Sequence, residues 1–289
     1  MQNFVFLHSL VHEQDLHGDI TGLDILLGTH LTFSVTRNKF TPRLGSMVPM
    51  FAEEIDYAMK TEIPACKSEW VSVDMNTIMT RIISRLTSRS WVGKELARTD
   101  AWHTANLKTT EQIFITALIL KCLPSILRPV VAPVIPTRWK LKKLIDKVLS
   151  YLVPMIEQRL RREQQAEENS GKDSYEKPED VIQWMLDEAE GELRDPKNLA
   201  RRYVFAVIGS LFPVASGLVD CMYDLAAHPE IIESLRQEIQ EVMAEDGGWS
   251  KGTAAKLVKM DSFMKESQRI NTPTPSKSTH LRVTVAFLS

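Results

Sequence analysis

Glu266 and Arg269 have the spacing of an ion pair on one face of a helix, in the sequence KMDSFMKESQR. Residues three apart on a helix are surface neighbours, and a glutamate on the N-terminal side of its basic partner is the better orientation. An exposed pair of this kind contributes only about 0.2–0.5 kcal/mol to helix stability. The spacing alone therefore favours a surface pair and indicates no reaction.

Histidines and cysteines offer little metal or disulfide chemistry. His8 and His12 are one helical turn apart, but no third ligand is identifiable, so solvent-facing histidines are favoured over a metal site. The three cysteines, Cys66, Cys122 and Cys221, lie far apart and form no CxxC pair. Reduced thiols are therefore expected rather than a disulfide framework or a zinc site.

Composition and missing motifs exclude several function classes. The chain has 289 residues, 44% hydrophobic and 25% charged, with a formal net charge of −2. This balance predicts a globular protein and gives no reason to expect nucleic-acid binding. The patterns GxGxxG, GxxxxGK[ST], GxSxG and HExxH do not occur, so dinucleotide, nucleoside triphosphate, serine-hydrolase and zincin functions lack their usual sequence signals.

The elements that must position any site are predicted to be helices. Apolar residues between Met75 and Leu86 recur at three- and four-residue steps, and similar stripes follow along most of the chain. Only residues 281–288 have strand character. The uncharged run 203–219 approaches the minimum length of a membrane span, but a buried central helix is favoured because a large helical protein needs one.

Six segments resemble, in the family's order, parts of fungal cytochromes P-450, the haem-thiolate monooxygenases of terpenoid and other secondary-metabolite pathways. They correspond to the C helix, the E-to-F segment, the F–G connection, the stretch before the I helix, the I-helix end with the J helix, and the K helix: 36–49, 84–102, 123–136, 180–191, 222–242 and 259–269. The resemblance covers about 21–271, and the tail 272–289 diverges. It implies a mainly α, partial cytochrome P-450 fold, with 1–289 as a single incomplete domain.

The resemblance implies a role for two sets of residues in this chain. Glu266 and Arg269 stand at the Glu-x-x-Arg positions of the K helix, which implies a buried structural ion pair. Such a pair is strongly destabilising to break, because a buried charge is left alone. Arg37 stands where a C-helix arginine would meet a haem propionate, although Phe33 replaces the tryptophan or histidine usual four residues earlier.

The segment that aligns with the oxygen-activating part of the family's I helix differs from the family in two residues. Gly209 and Ser210 match its pair of small residues, but Phe212 replaces the polar or acidic residue and Pro213 replaces the threonine. Neither replacement can donate or accept a proton. The resemblance therefore predicts that the family's proton relay is absent, and no catalytic residue is assigned.

The resemblance also implies what surrounds the family's reaction. The family binds haem through a cysteine thiolate, receives electrons from a P-450 reductase and acts on apolar small molecules. None of the three cysteines falls at the haem-ligand loop, so we predict that this chain does not bind haem. The usual N-terminal anchor and most of the β-region are also missing from the pattern. We therefore expect a cytoplasmic location for the chain as given, and membrane contact stays open.

Three hypotheses follow. The first is a truncated, inactive P-450 of fungal secondary metabolism, of terpenoid type. The second is an active haem-dependent monooxygenase whose gene model was cut short near Asn271. The third is a helical interaction protein that retains part of the fold, because exposed apolar surfaces favour association.

Overall fold

The computed structural model describes residues 25, 29–65, 71–124, 127–168, 175–250 and 252–271. Every regular element in these ranges is helical, which confirms the predicted mainly α class. Besides α-helices, the described residues form one π-helical turn, Thr36–Phe40, and two 3₁₀ turns, Gly191–Arg194 and Pro229–Ile231. The α-helices are α1 Leu31–Val35, α2 Thr41–Glu62, α3 Met75–Val92, α4 Lys94–Ala97, α5 Asp100–Lys121, α6 Arg128–Val131, α7 Pro136–Glu168, α8 Val181–Glu188, α9 Pro196–Ala227, α10 Ile232–Asp246, α11 Thr253–Lys256 and α12 Val258–Ile270. The predicted strand 281–288 lies outside the described residues.

Local capping signals place several helix ends where the sequence predicts them. The side chain of Asp195 accepts a hydrogen bond from the amide of Asn198 at 2.9 Å, and Pro196 occupies the first turn of α9. This satisfies one of the free amides of the first turn, and proline has none to satisfy. Helix α10 ends at Gly247, whose φ of 68° lies in the left-handed region that glycine adopts easily.

The core is built around α9, which packs against α3 and α7, while α7 also packs along α5. Four aromatic side chains join these helices. The Tyr203 ring lies 5.7 Å from that of Trp91 and 5.4 Å from that of Trp102, and Trp102 meets Tyr151 at 6.0 Å. Asn106 donates a hydrogen bond to the Tyr203 hydroxyl at 3.0 Å, so this buried polar group is paired.

The uncharged run 203–219 lies within α9. Its Tyr203 and Leu211 are fully buried, whereas Val214 is 49% exposed. Among the described residues, α9 is the one helix long and apolar enough to cross a membrane, and 44% of its most apolar window is buried. Length and composition alone do not distinguish a membrane span from a core helix. The packing of α9 against α3 and α7 fits the predicted central helix.

Helix α5 begins at Asp100, although apolar residues recur at helical spacing only from about Glu111 onward. The first half of the helix is rich in polar residues, which hides the apolar periodicity. Yet Thr109 and Thr110 are buried, and their hydroxyls donate to the carbonyls of Ala105 and Asn106 at 2.7 and 2.9 Å. Hydrogen bonding to the preceding turn lets threonine lie inside a buried helix.

Gly93 separates α3 from α4 with a φ of 83°. A Cβ at this position would lie 3.2 Å from Oδ2 of Asp180 and 3.9 Å from Nη2 of Arg159. Both the backbone conformation and the neighbouring ion pair therefore favour a residue without a side chain.

Replacing Gly93 with alanine is expected to lower the free energy of unfolding by about 1–2 kcal/mol, because alanine is strained at positive φ. Urea unfolding followed by circular dichroism measures the change. Gly217→Ala is the matched control, since Gly217 lies inside α9 and a Cβ there would meet no atom within 4 Å. The control should leave stability unchanged or raise it. Equal losses in both variants would contradict this account of Gly93.

Candidate functional site

The middle of α9 carries the residues that align with oxygen activation. Phe212 is half-buried, and its ring packs at a tilt of 52° against that of Phe114 of α5, with a centroid separation of 4.5 Å. Pro213 is exposed within the same helix. The hydroxyl of Ser210 donates to the carbonyl of Val207 at 3.1 Å. An aromatic contact and a proline ring thus occupy this part of α9, and neither provides a proton-transfer group.

Arg37 lies on the π-helical turn Thr36–Phe40 and is exposed. Phe33, one turn earlier, is 51% exposed, and no carboxylate contacts Arg37 within the described residues. The guanidinium is therefore available to an anion such as a haem propionate. Its role as a propionate ligand stays a prediction, since no contact joins it to the residues of α9 in the part of the chain that is described.

Helix α12 is positioned by a carboxylate from α10. Glu238 accepts hydrogen bonds from the amides of Lys259 and Met260 at 2.7 and 3.0 Å, which caps the first turn of α12. Below it, Phe263 packs with Cys221 of α9 and Leu235 of α10 in a small apolar cluster. These contacts fix the helix that bears the Glu-x-x-Arg positions against α9.

Glu266 and Arg269 form the predicted pair, with the Nε and Nη2 atoms of Arg269 donating to the two carboxylate oxygens at 2.8 and 2.6 Å. The guanidinium lowers the pKa of the Glu266 carboxyl below its usual value. Within the described residues, the Arg269 side chain is 57% exposed and that of Glu266 is 20% exposed. The structural role of this pair as a buried ion pair of the K helix stays a prediction.

The cysteines of the described residues do not fit a haem thiolate ligand. Cys221 points into the apolar cluster between α9, α10 and α12, and Cys122 is exposed at the end of α5. Cys221 is enclosed by the apolar side chains of this cluster, whereas a haem ligand must reach the iron. Cys66, like His8 and His12, lies outside the described residues. The chain's described residues therefore offer a peripheral cation, Arg37, but no axial ligand.

Two open clefts lie between the described helices, and both have charged walls. One of about 410 Å³ is lined by Lys39, Arg43, Trp184, Asp187 and Glu188, and the Arg43 guanidinium lies 5.3 Å from the centre of a Trp184 ring. The other, of about 390 Å³, lies between α7 and the turn Gly191–Arg194. Charged side chains line both clefts, whereas sites for apolar small molecules are lined mainly by hydrophobic and aromatic side chains.

Exposed apolar side chains concentrate around the connection between α5 and α7. Leu118 of α5 is 65% exposed, Val130 and Val134 are 71% and 70% exposed, and Trp139 at the start of α7 is 57% exposed. Val130 and Val134 lie on the segment 123–136 that resembles the family's F–G connection. Contact of this surface with a membrane stays open.

Sequence reasoning did not predict the buried ion pairs of Arg85 and Glu54. Arg85 is buried, and its Nη2 atom lies 2.6 Å from the Glu62 carboxylate and 2.9 Å from that of Asp100. Glu54 is fully buried and pairs with Arg98 at 3.0 Å. Hydrogen bonding to Arg85 lowers the pKa of Asp100. These pairs hold α2, α3 and α5 together, and they are separated by up to 44 residues in sequence, so no local spacing reveals them.

Comparison with known proteins gives a consistent result over nearly the whole chain. A family model described as "Cytochrome P450" matches residues 25–284. "Cytochrome P450 monooxygenase olcJ" of Penicillium canescens is 35% identical over 263 residues, which cover 91% of this chain and 49% of that protein. "Ent-kaurene oxidase" of Gibberella intermedia is 37% identical over 258 residues, covering 89% and 46%. "Cytochrome P450 monooxygenase paxP" of Penicillium paxilli is 33% identical over 255 residues, covering 86% and 48%.

The chain spans about half the length of the curated relatives it matches. The aligned half contains the α9 segment with Phe212 and Pro213, the π-helical turn with Arg37, and the Glu266–Arg269 pair of α12.

Proposed function

The chain belongs to the cytochrome P450 family, and we propose that it derives from a monooxygenase of fungal secondary metabolism but does not itself carry out haem-thiolate oxidation. The observation that carries this proposal is the pair of replacements in α9. The Phe212 ring packs against that of Phe114, with their centroids 4.5 Å apart, and Pro213 has no hydroxyl. The positions that align with the proton relay therefore hold no group that can move a proton.

The cysteines support the same proposal for these 289 residues. Cys221 is buried in an apolar cluster, and Cys122 lies at a helix end. When haem is bound by the family, the iron and its thiolate supply the oxidising chemistry. The described residues provide no group suited to that ligation.

The substrate class of the ancestral reaction is proposed from the relatives. An ent-kaurene oxidase among them acts on a hydrocarbon terpenoid, as its name states. Oxygen insertion into an apolar, terpenoid-type scaffold, with electrons supplied by a P-450 reductase, is the reaction that fits this relationship. The scaffold itself is not identified by any residue of the described clefts.

The proposal predicts that the purified 289-residue chain, supplied with haem, reduced and exposed to carbon monoxide, gives no Soret band at the position of a thiolate-ligated P-450. The reason is that Cys221 is enclosed in an apolar cluster and Cys122 lies exposed at the end of α5. A thiolate-type band in the unaltered chain would refute the proposal. Cys66→Ser, Cys122→Ser and Cys221→Ser variants, measured in parallel, would then identify the ligand.

A second candidate is an active monooxygenase whose polypeptide continues beyond these residues. The observation that favours it is that the aligned relatives are about twice as long as the chain. Sequencing of full-length transcripts across the codon for Asn271 distinguishes the two. A reading frame that continues into a glycine-rich loop with a cysteine would support the active enzyme, and a transcript that stops after Ser289 would exclude it.

A further inference from the structure

The C-terminal part of α2, residues 53–62, lies on α3 and α4 with little burial of hydrocarbon, and we refer to it as the strap. Ala58 of the strap is fully buried and packs in a small apolar cluster with side chains of α3. The larger apolar side chains Ile55 and Met59 are 39% and 46% exposed. The hydrophobic effect scales with the apolar area removed from water, so it contributes little to holding the strap in place.

Ion pairs join the strap to its neighbours. Glu54 is fully buried, and its carboxylate lies 3.0 Å from the guanidinium of Arg98, which also lies 3.0 Å from the carboxylate of Glu53. At the end of the strap, Glu62 lies 2.6 Å from Nη2 of the buried Arg85. Carboxylates of one helix segment thus face cations from α3 and from the end of α4.

The pairing around Glu54 is incomplete. Its Oε1 atom and the Nε atom of Arg89 are buried and make no hydrogen bond to the described residues, and Nε lies 3.8 Å from the other carboxylate oxygen of Glu54. Charges taken out of water need close pairing and further hydrogen bonds to offset their desolvation. The docked strap therefore retains part of this cost, and undocking removes it because the carboxylate returns to water.

The position of the strap in the chain allows it to move without the core. The apolar anchors of α2 lie before it, since Met47 belongs to the main core and Phe51 packs against that core. The helix ends at Glu62, and residues 63–65 beyond it are exposed. The strap can therefore leave α3 and α4 as the end of a helix, while Met47 keeps the first half of α2 in place.

We infer that the strap is a separate opening unit of the fold, latched by the ion pairs of Glu53, Glu54 and Glu62. It undocks from α3 and α4 while the core around α9 stays folded. Local opening of this kind occurs where few apolar contacts are buried. The core differs in this respect, because side chains such as Leu152 of α7 and Leu211 of α9 are fully buried.

Native-state hydrogen exchange of the 289-residue chain, followed by mass spectrometry at urea concentrations below the unfolding transition, tests the inference. An undocked helix end of this length is only marginally stable in water, so undocking exposes its amides to exchange. After correction for intrinsic rates, the amides of the strap should exchange about 100-fold faster than those of residues 199–207 in α9. Urea should hardly change the rates in the strap, because local opening exposes little surface, whereas it should accelerate exchange in α9.

A matched pair of variants tests the latch. Arg98→Gln leaves the buried Glu54 without its cation, so the strap should exchange about 100-fold faster than in the unaltered chain. Lys60→Gln also removes one positive charge, but from a pair with Asp56 inside the strap, in which the two side chains are 73% and 64% exposed. Exposed pairs contribute little, so this control should change the rates by no more than about twofold.

Three results would overturn the inference. If the strap and residues 199–207 exchanged at the same rate and with the same dependence on urea, the strap would unfold only together with the core. This comparison uses the unaltered chain, so it does not depend on the folding of a variant. Loss of the whole helical circular dichroism signal in Arg98→Gln would lead to the same conclusion. If Arg98→Gln exchanged no faster than Lys60→Gln, the ion pairs would not act as the latch.

Discussion

Replacing Asp180 with asparagine is expected to lower the free energy of unfolding by about 3–5 kcal/mol. Asp180 and Arg159 are both buried, and the two Nη atoms of Arg159 donate to the two carboxylate oxygens at 2.7 and 2.6 Å. Asparagine keeps the size of the side chain but removes its charge, so the guanidinium would be left buried without an anion. Guanidinium chloride unfolding, followed by circular dichroism, measures the loss.

The same substitution separates the ion pair from the cap. Asp180 also accepts a hydrogen bond from the amide of Gln183 at 2.9 Å, which caps α8. Asparagine caps a helix about as well as aspartate, so Asp180→Asn should preserve the start of α8. Asp180→Ala removes both interactions, and a further loss of about 1 kcal/mol is expected for the cap.

An exposed pair on the same helix as Arg159 is the control. Glu157 and Arg161 lie four residues apart in α7, with side chains 45% and 69% exposed. Glu157→Gln should cost no more than about 0.5 kcal/mol, because water and salt screen the pair. If Asp180→Asn were no more destabilising than Glu157→Gln, the buried pair would not hold α7 to α8 as we infer.

Sequence reasoning predicted the features of the fold that depend on neighbouring residues. Such features include helix ends like the Asp195–Pro196 start of α9, the break at His228–Pro229 and the stop at Gly247, because backbone geometry and capping act over a few residues. The beginning of α5 was not predicted, because buried polar residues such as Thr109 interrupt the apolar stripe while hydrogen bonds satisfy them.

The sequence predicted residues of the candidate site only at positions that align with functional positions of the family. Position 212 could be assigned by comparison with the family's helix, but the ring that it contacts, Phe114, comes from α5, 98 positions away. Arg159 and Asp180 pair across 21 positions, and nothing in their local sequence distinguishes them from the solvated charges nearby. Long-range pairs of this kind are set by helix packing and become visible only in the assembled fold.

The second large effect is expected from His103, which should make the protein less stable as the pH falls from 7 to 4.5. The imidazole is buried in α5, its Nε2 atom is hydrogen-bonded to the carbonyl of Ala97, and its Nδ1 atom lies 3.3 Å from the hydroxyl of Ser84. The neutral ring with a proton on Nε2 satisfies both contacts, since Nδ1 then accepts from serine. Burial, together with the nearby Arg85 cation, lowers the pKa of His103 from 6.5 to about 4.

The direction of the effect follows from the protons bound in each state. Between pH 6.5 and about 4 the unfolded histidine is protonated and the folded one is not, so the unfolded state binds more protons and stability decreases as the pH falls. The contribution of neutral His103 to stability is fully present above pH 6.5. Integrating from pH 7 to 4.5 gives a loss of about 2 kcal/mol.

Replacing His103 with glutamine tests this assignment, because glutamine can donate to the Ala97 carbonyl and accept from Ser84 but does not titrate. Urea unfolding at pH 7, 6, 5 and 4.5 should show stability falling in the unaltered chain and a nearly constant value in His103→Gln. Carboxyls whose pKa values are lowered by ion pairs, such as Glu62 and Asp100, begin to lose their contribution as the unfolded state is protonated near its ordinary pKa of 4.5 or 3.8. Their effect therefore begins at the lower end of this range and is the same in both proteins. A slope that is equal in both proteins between pH 6.5 and 4.5 would place the titrating group elsewhere, and His103 would then be accessible to protons in the folded state.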